Sequence, residues 1–218
     1  MSDTIKIFLL YNDENISAYN HQDIIPIKLK QTEYFESEFF RMIEAEDVPD
    51  ADNIGIITPS FFRKVKGVSI DSLLKMRPNP YIVKLFTFNN KCESSAANYH
   101  GVFFTVLWSW IFEQYNISYM NFDRYTVCYS NLWITRRDFF IEYLRFAKNT
   151  IKLIDNAPPR IKEVLSTNPN YTYGNMRAEL LEKKFGKPYY PWQPFLMERL
   201  ICLFIHLKET GQYREIGI

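Results

Sequence analysis

The stretch Ile5-Lys6-Ile7-Phe8-Leu9-Leu10, followed at once by Tyr11-Asn12-Asp13-Glu14-Asn15, sets the reading of the whole chain. A short, nearly continuous apolar run with β-branched residues, stopped by a polar turn cluster, reads as a buried strand opening a sheet. Ile24-Ile25-Pro26-Ile27-Lys28-Leu29 reads as a second strand. Pro26 lacks an N–H and pushes that strand to a sheet edge or a bulge. Between Tyr34 and Glu46, Phe35, Phe39, Met42 and Ile43 fall at helical spacing, so a helix with those residues inward is expected.

The alternation continues outward from this unit. Asn53 to Thr58 (NIGIIT) reads as a buried strand after an acidic turn, and Ser69 reads as the cap of a short helix carrying Ile70, Leu73 and Leu74. Tyr81 to Phe88 reads as a strand, His100 to Gln114 as an apolar helix, and Tyr125 to Tyr129 as one more strand. Thr135-Arg136-Arg137-Asp138 matches a capping box opening a long helix whose inward face is Phe140, Tyr143, Leu144, Ala147, Ile151 and Ile154. Shorter helices are expected from Pro158-Pro159 to Leu165 and from Met176 to Lys184, and a last one from Pro194 to His206. The product is an α/β fold of three layers, a central mixed sheet of about six strands flanked by helices, spanning residues 1–218 as a single domain.

Composition removes whole classes of function. With 218 residues and 17% aromatic side chains the chain can bury a sizeable core, which excludes disorder as its main state. Lys and Arg number 26 against 25 Asp and Glu, so no basic stripe exists for a dedicated nucleic-acid binder. Three scattered cysteines, Cys92, Cys128 and Cys202, suggest neither a disulfide framework nor a zinc site and fit a reducing, cytoplasmic setting. The N-terminal residues lack the pattern of a secretory signal. The most apolar helical run, Val102 to Phe112, is about half of the ~20 residues a membrane span needs, so no membrane span is expected.

Ligands of open α/β sheets sit beyond the carboxyl ends of the strands, where strand order reverses. The residues there are Tyr11-Asn12-Asp13, Lys28-Leu29-Lys30, Thr58-Pro59-Ser60, Asn89-Asn90-Lys91 and Ser130-Asn131. Dinucleotide fingerprints, Walker-type phosphate loops, nucleophile elbows and paired zinc histidines are all missing. Asp50-Ala51-Asp52 offers two carboxylates able to share a divalent cation that bridges a diphosphate; Glu44, Glu46 and Asp47 upstream make a solvated acidic turn the other reading. Thr58, Arg63 and Lys64 supply hydroxyl and cations directly after a strand, suited to a diphosphate or to an ordinary surface turn. Lys28 and Lys30 share one strand face and the same ambiguity. Toward the C-terminus, Tyr189, Tyr190 and Trp192 precede Glu198-Arg199, a pair that either faces a sugar-binding cleft or staples a helix to the core. His100 is a ligand or a helix cap.

A strand ending LLYND, the YFESEFF segment, IGIITPSFF, YSNLWITRRDFFIEYLRF and the closing PYYPWQPFLMERL together resemble small single-domain glycosyltransferases of the GT-A type. Among these is the domain that large chlorella viruses encode to decorate their capsid protein. The resemblance covers nearly the whole chain and implies a UDP-sugar donor with Mn²⁺, or Mg²⁺, on the diphosphate. It places Leu10, Tyr11 and Asn12 at the nucleotide base, and Asn131, Glu198 and Arg199 toward sugar and acceptor. In such enzymes the D-x-D pair follows a mid-sheet strand; here Asp50 and Asp52 precede one, and Asn89-Asn90 follow Phe88.

The expected activity is transfer of a hexose or deoxyhexose from a UDP-sugar to a glycan or glycoprotein, in the host cytoplasm if the chain is viral. Asp50 and Asp52 would hold the metal, and Glu198 or Asp52 would orient or deprotonate the acceptor. The rival expectation is a non-catalytic α/β module that grips a glycan or a protein through its aromatic surface.

Overall fold

The computed structural model describes residues 4–30, 32–78, 81–85, 92, 94–117, 125, 131–170 and 177–211. The chain divides into two compact units that interleave along the sequence. The first comprises Met1–Lys30, Glu36–Thr87 and Cys128–Lys148; the second comprises Gln31–Phe35, Phe88–Val127 and Asn149–Ile218.

The first unit is an open α/β sheet of five strands among the described residues: β1 (Ile5–Tyr11), β2 (Ile24–Lys28), β3 (Asn53–Ile57), β4 (Ile82–Lys84) and β5 (Trp133–Arg136). Their order is β2-β1-β3-β5-β4. β1 pairs in parallel with β2 on one side and β3 on the other, and β5 runs antiparallel between β3 and β4. The sheet is therefore mixed, and strand order reverses at β1.

Alternation along β1 covers both faces. Ile5, Ile7 and Leu9 point into a cluster with Ile57, Phe61, Leu73 and Ile134. Phe8 points the other way, onto Phe39 at 4.9 Å and Phe140 at 6.0 Å. Helices therefore cover both faces: α2 (Phe61–Lys64) and α3 (Ile70–Leu73) one, α1 (Phe39–Met42) and the start of α6 (Arg137–Asp155) the other. Gly55 in β3 is the tight point, since a Cβ there would meet Ile134 Cγ1 at 3.1 Å and Ile7 Cγ1 at 3.2 Å. The expected Ser69 cap is present, its Oγ accepting the Ser72 N–H at 3.1 Å.

β2 lies at the sheet edge, with Pro26 beside Leu9. The Leu29 N–H donates to Tyr11 O, and Asp23 O accepts from Ile7 N–H, so odd-numbered residues of this segment turn their backbone groups toward β1. By alternation Pro26 turns its nitrogen outward.

Several expected boundaries shift. The single helix from Tyr34 to Glu46 is instead a 3₁₀ turn at Phe35–Glu38, the one-turn α1, and a second 3₁₀ turn at Ala45–Asp47. Ile43 is extended, and Glu44 and Asp47 cap one another's backbone, which ends the helix; Met42, expected inward, is 41% exposed. Residues 133–136 form β5 rather than a helix entry: Trp133 and Ile134 are fully buried and paired on both sides, and the Thr135 hydroxyl donates to Tyr81 O at 2.6 Å. α6 then begins at Arg137, and its expected inward face is buried throughout. The strand expected from Tyr81 to Phe88 is described as β4 alone, and the one expected at residues 125–129 lies outside the described residues apart from Tyr125.

In the second unit α5 (Phe103–Gln114) packs against α4 (Ser94–His100), α7 (Pro159–Leu165) and α9 (Gln193–Glu209). The one helix expected from His100 to Gln114 is broken at Gly101, whose φ of +96° no helix tolerates. α8 (Ala178–Phe185) ends at Gly186 in the left-handed conformation, the common C-terminal stop. Tyr34 donates its hydroxyl to Asp155 Oδ1 at 2.9 Å, and Lys187 pairs with Glu33. No helix among the described residues is long and apolar enough to cross a membrane.

Candidate functional site

The parallel strands β1, β2 and β3 bring Tyr11, Lys28 and Ile57 to one edge of the first unit's sheet. β5 runs the other way, so its start, Trp133 opposite Ile56, reaches that same edge and carries Asn131 with it. Of the residues expected to bind a nucleotide sugar, Leu10, Tyr11, Asn12, Lys28, Thr58, Arg63, Lys64 and Asn131 therefore share this carboxyl rim. Leu10 is buried and belongs to the sheet, whereas Tyr11 and Asn12 are half-exposed.

Two side-chain amides define the rim. Asn131 is 2% exposed and holds φ at +52°, a left-handed conformation that Asn tolerates better than most residues. Its Nδ2 donates to Ser37 Oγ at 3.1 Å, while its Oδ1 is buried and accepts nothing among the described residues. Asn12 turns its backbone N–H to Glu14 Oε2 at 2.7 Å, and its own Oδ1 is likewise buried without a donor among the described residues. A buried amide oxygen left unpaired costs roughly 1–3 kcal/mol, so both oxygens are poised to accept from a ligand's hydroxyl or imide hydrogen.

Hydroxyls and charges complete the rim. Thr58 is buried, its Oγ1 3.0 Å from Ser60 Oγ, and the Tyr19 hydroxyl donates to Pro59 O at 2.6 Å. Burial pushes the Tyr19 phenol above its ordinary range. Arg63 and Lys64 stand in the last turn of α2, just past β3, and exposed Lys28 pairs with Asp13 at 3.3 Å. Glu36 is half-buried in the turn before α1; loss of water pushes its carboxyl up, the Lys64 ammonium opposes that, and Glu14 reinforces it. The rim thus joins cations, hydroxyls and unsatisfied acceptors, a set suited to an anionic ligand that also carries donor hydrogens.

Asp50 and Asp52 stand elsewhere. They precede β3, at the amino edge of the sheet, opposite the rim. Asp52 Oδ2 accepts from the Thr4 N–H at 2.7 Å and the Thr4 hydroxyl at 2.9 Å, bonds that hold its carboxyl below the ordinary range. Around them lies an open depression of about 660 Å³ lined also by Arg136, Arg137 and Asp138. Apart from exposed Asp50, its charges are engaged: Arg136 pairs with Asp138 at 3.1 Å, and Arg137 donates to Pro49 O and Val48 O. As ligands of a cation on a rim-bound diphosphate, Asp50 and Asp52 do not fit. Among the described residues no group of three or more His, Cys, Asp and Glu side chains is arranged to hold a metal ion.

Glu198 and Arg199 belong to α9 in the second unit. Arg199 is fully buried; its Nε donates to Cys92 O at 3.2 Å, its Nη1 to Phe195 O at 2.8 Å, and its guanidinium sits 5.1 Å from the Phe104 ring centre. Glu198 lies 3.5 Å from Nη1. Beside them His100 stacks on Phe195 at 3.8 Å, and burial, then the Arg199 charge, lower its pKa to about 3. His100 is thus a neutral ring in the core of this unit, and Arg199 holds the backbone of two segments together. Cys92 and Cys202 are buried thiols, not joined in a disulfide.

Glu36 and Ser37 are rim residues that sequence reasoning passed over, whereas Ser60 was among the residues expected after β3. Ser37 and Glu36 sit in a segment whose apolar spacing mimics a plain helix, and only the break at Phe35 lifts them onto the rim. Comparison of the chain with protein-family models, with curated proteins and with solved structures finds no match.

Proposed function

We propose that the chain is a glycosyltransferase that takes a hexose or deoxyhexose from a UDP-sugar and passes it to a glycan or glycoprotein. The observation that carries the reading is that two buried amide oxygens without a donor among the described residues share the carboxyl rim, where strand order reverses, with the cations of α2. Uracil and ribose present N–H and O–H donors that such oxygens accept, and a diphosphate presents the charge that Lys64 and Arg63 attract. In the transfer, an acceptor hydroxyl attacks the anomeric carbon and loses its proton to solvent, the bond to the diphosphate oxygen breaks, and UDP leaves. Fixed cations at the leaving oxygen stabilise the charge that develops there, and such electrostatic stabilisation commonly lowers the barrier more than any other effect. A divalent cation would act on the same charge.

The test is the thermal midpoint with millimolar UDP, with and without Mn²⁺, beside GDP and CMP. A ligand at 100 times its Kd adds about 2.7 kcal/mol, a rise of several degrees for this size. A rise with UDP that is lost in Lys64→Met supports the reading. Absence of a rise with every nucleotide sinks it and leaves the non-catalytic module.

A further inference from the structure

We propose that the cleft between the β1–β2 crossover and the sheet edge holds the nucleobase of the donor, and that its size admits a pyrimidine and refuses a purine. The inference rests on the reading of the rim as a nucleotide diphosphate site and adds to it the residues that enclose and select the base.

Strand parity and one fixed ring build the cleft. Ile7 pairs with Ile24 and Leu9 with Pro26, so Leu9, Ile24 and Pro26 share the sheet face turned away from Phe8 and form an apolar floor. The crossover passes over this floor with Ile16 and Tyr19. Tyr19 is nearly without exposure; its hydroxyl is tied to Pro59 O at 2.6 Å and its ring stacks on Phe62 at 5.2 Å. An aromatic wall already held in place loses little freedom when a ligand arrives. The enclosed space is about 240 Å³, below the roughly 300 Å³ at which pockets for drug-sized ligands begin. It takes one ring, not a fused pair.

Polar groups stand at the mouth. Exposed Asn20 carries an amide donor and an amide acceptor. His21 Nδ1 accepts the Asp23 N–H at 3.1 Å, which leaves the Nε2–H as that ring's donor. A pyrimidine edge sets carbonyl oxygens beside a ring nitrogen, groups that an amide and an imidazole N–H can pair. A sugar ring, with hydroxyls all round it, would press most of them against Leu9, Ile24 and Pro26, so the floor suits a base.

The phosphates then fall on the rim. Lys28 lies two residues beyond Pro26 on the same face, about 7 Å further along the strand, with Tyr11 beside it. Its pairing with Asp13 at 3.3 Å joins two exposed side chains, so it holds weakly and exchanges readily for a phosphate. Phe62, which backs Tyr19, belongs to α2 and is followed directly by Arg63. Asn12 comes after Tyr11, which leaves its buried Oδ1 for a ribose hydroxyl.

The probes are UDP, GDP and inorganic pyrophosphate, titrated by calorimetry, with isoleucine-methyl NMR to report where the base sits. UDP should bind roughly tenfold or more tighter than GDP and shift the Ile16 and Ile24 methyl signals, whereas pyrophosphate should shift neither. Asn20→Trp fills the mouth from an exposed position; it should weaken UDP roughly tenfold or more and leave pyrophosphate binding at its native strength. Ile16→Ala widens the cleft and should narrow the preference for UDP over GDP. UDP binding with both methyls unmoved, GDP binding as tight as UDP, or equal losses of UDP and pyrophosphate in Asn20→Trp overturns the base pocket and leaves the diphosphate reading standing. No UDP binding to the native protein overturns both, and circular dichroism on each variant separates misfolding from loss of binding.

Discussion

The Asn131 side chain donates to the Ser37 hydroxyl at 3.1 Å across 94 positions of sequence. That bond joins the entry to β5 with the turn before α1, both at the edge where β1 and β3 end. It explains why a residue with φ of +52° is nearly without exposure: the backbone bends back so that the amide reaches inward.

Asn131→Ala removes the bond and leaves Ser37 buried without that partner, so the urea midpoint should drop by an amount equivalent to about 1–3 kcal/mol. Asn131→Gly removes the same bond but relaxes the left-handed backbone. It should lose less than Asn131→Ala; equal losses would mean that the backbone conformation contributes nothing.

Gly55→Ala should destabilise by about 1–3 kcal/mol, because its methyl meets Ile134 and Ile7 at 3.1 and 3.2 Å in a packed layer. Ile134→Ala opens space at that point. The double variant should therefore lose less than the two single losses added, as a double-mutant cycle in chemical denaturation would read.

Asp52→Asn keeps an oxygen for the Thr4 N–H and leaves the rim untouched, so UDP should raise the thermal midpoint of this variant as it does the native protein. Asp52→Ala should lower stability slightly. The Asp52 contribution is present above the ordinary carboxylate pKa and fades as pH falls through the lowered one. Loss of the UDP response in Asp52→Asn would move the donor site to the other edge of the sheet.

His100 is neutral in the fold with a pKa near 3, against about 6.5 when unfolded. Its effect on stability is complete above pH 6.5 and is lost as pH falls from there toward 3, by up to roughly 1.4 kcal/mol per pH unit. Acid unfolding followed by tryptophan fluorescence should shift to lower pH in His100→Gln. An unchanged midpoint would show that another group sets acid stability.

The parallel half of the sheet was legible because β1 and β3 are short, nearly continuous apolar runs rich in β-branched residues and ended by polar turns. α6 was legible for its long inward stripe. β5 was hidden because Trp133–Arg136 passes into helix without a turn residue, so helical spacing extends through it while pairing with β3 and β4 decides the outcome. The rim cations followed from a rule about strand ends, whereas Asn131 was expected after a strand at residues 125–129 and reaches the rim instead because it precedes the antiparallel β5. Glu36 and Ser37 did not, since the left-handed backbone at Phe35 leaves no mark in a segment whose ring spacing suits a helix. Asp50 and Asp52 illustrate the reverse: two carboxylates at chelating spacing, one of which ties down the start of β1 through Thr4.

The outward nitrogen of Pro26 bears on how the protein meets copies of itself. A foreign strand docking alongside β2 needs amide donors, and the middle of that row offers none, while the Ile24 N–H is already given to His21 O at 3.0 Å. Within β2, Lys28 alone still presents one, next to its own charge. Crowded chains therefore find a template on this flank that is short of donors, and fibre-like stacking is discouraged there by one imino acid.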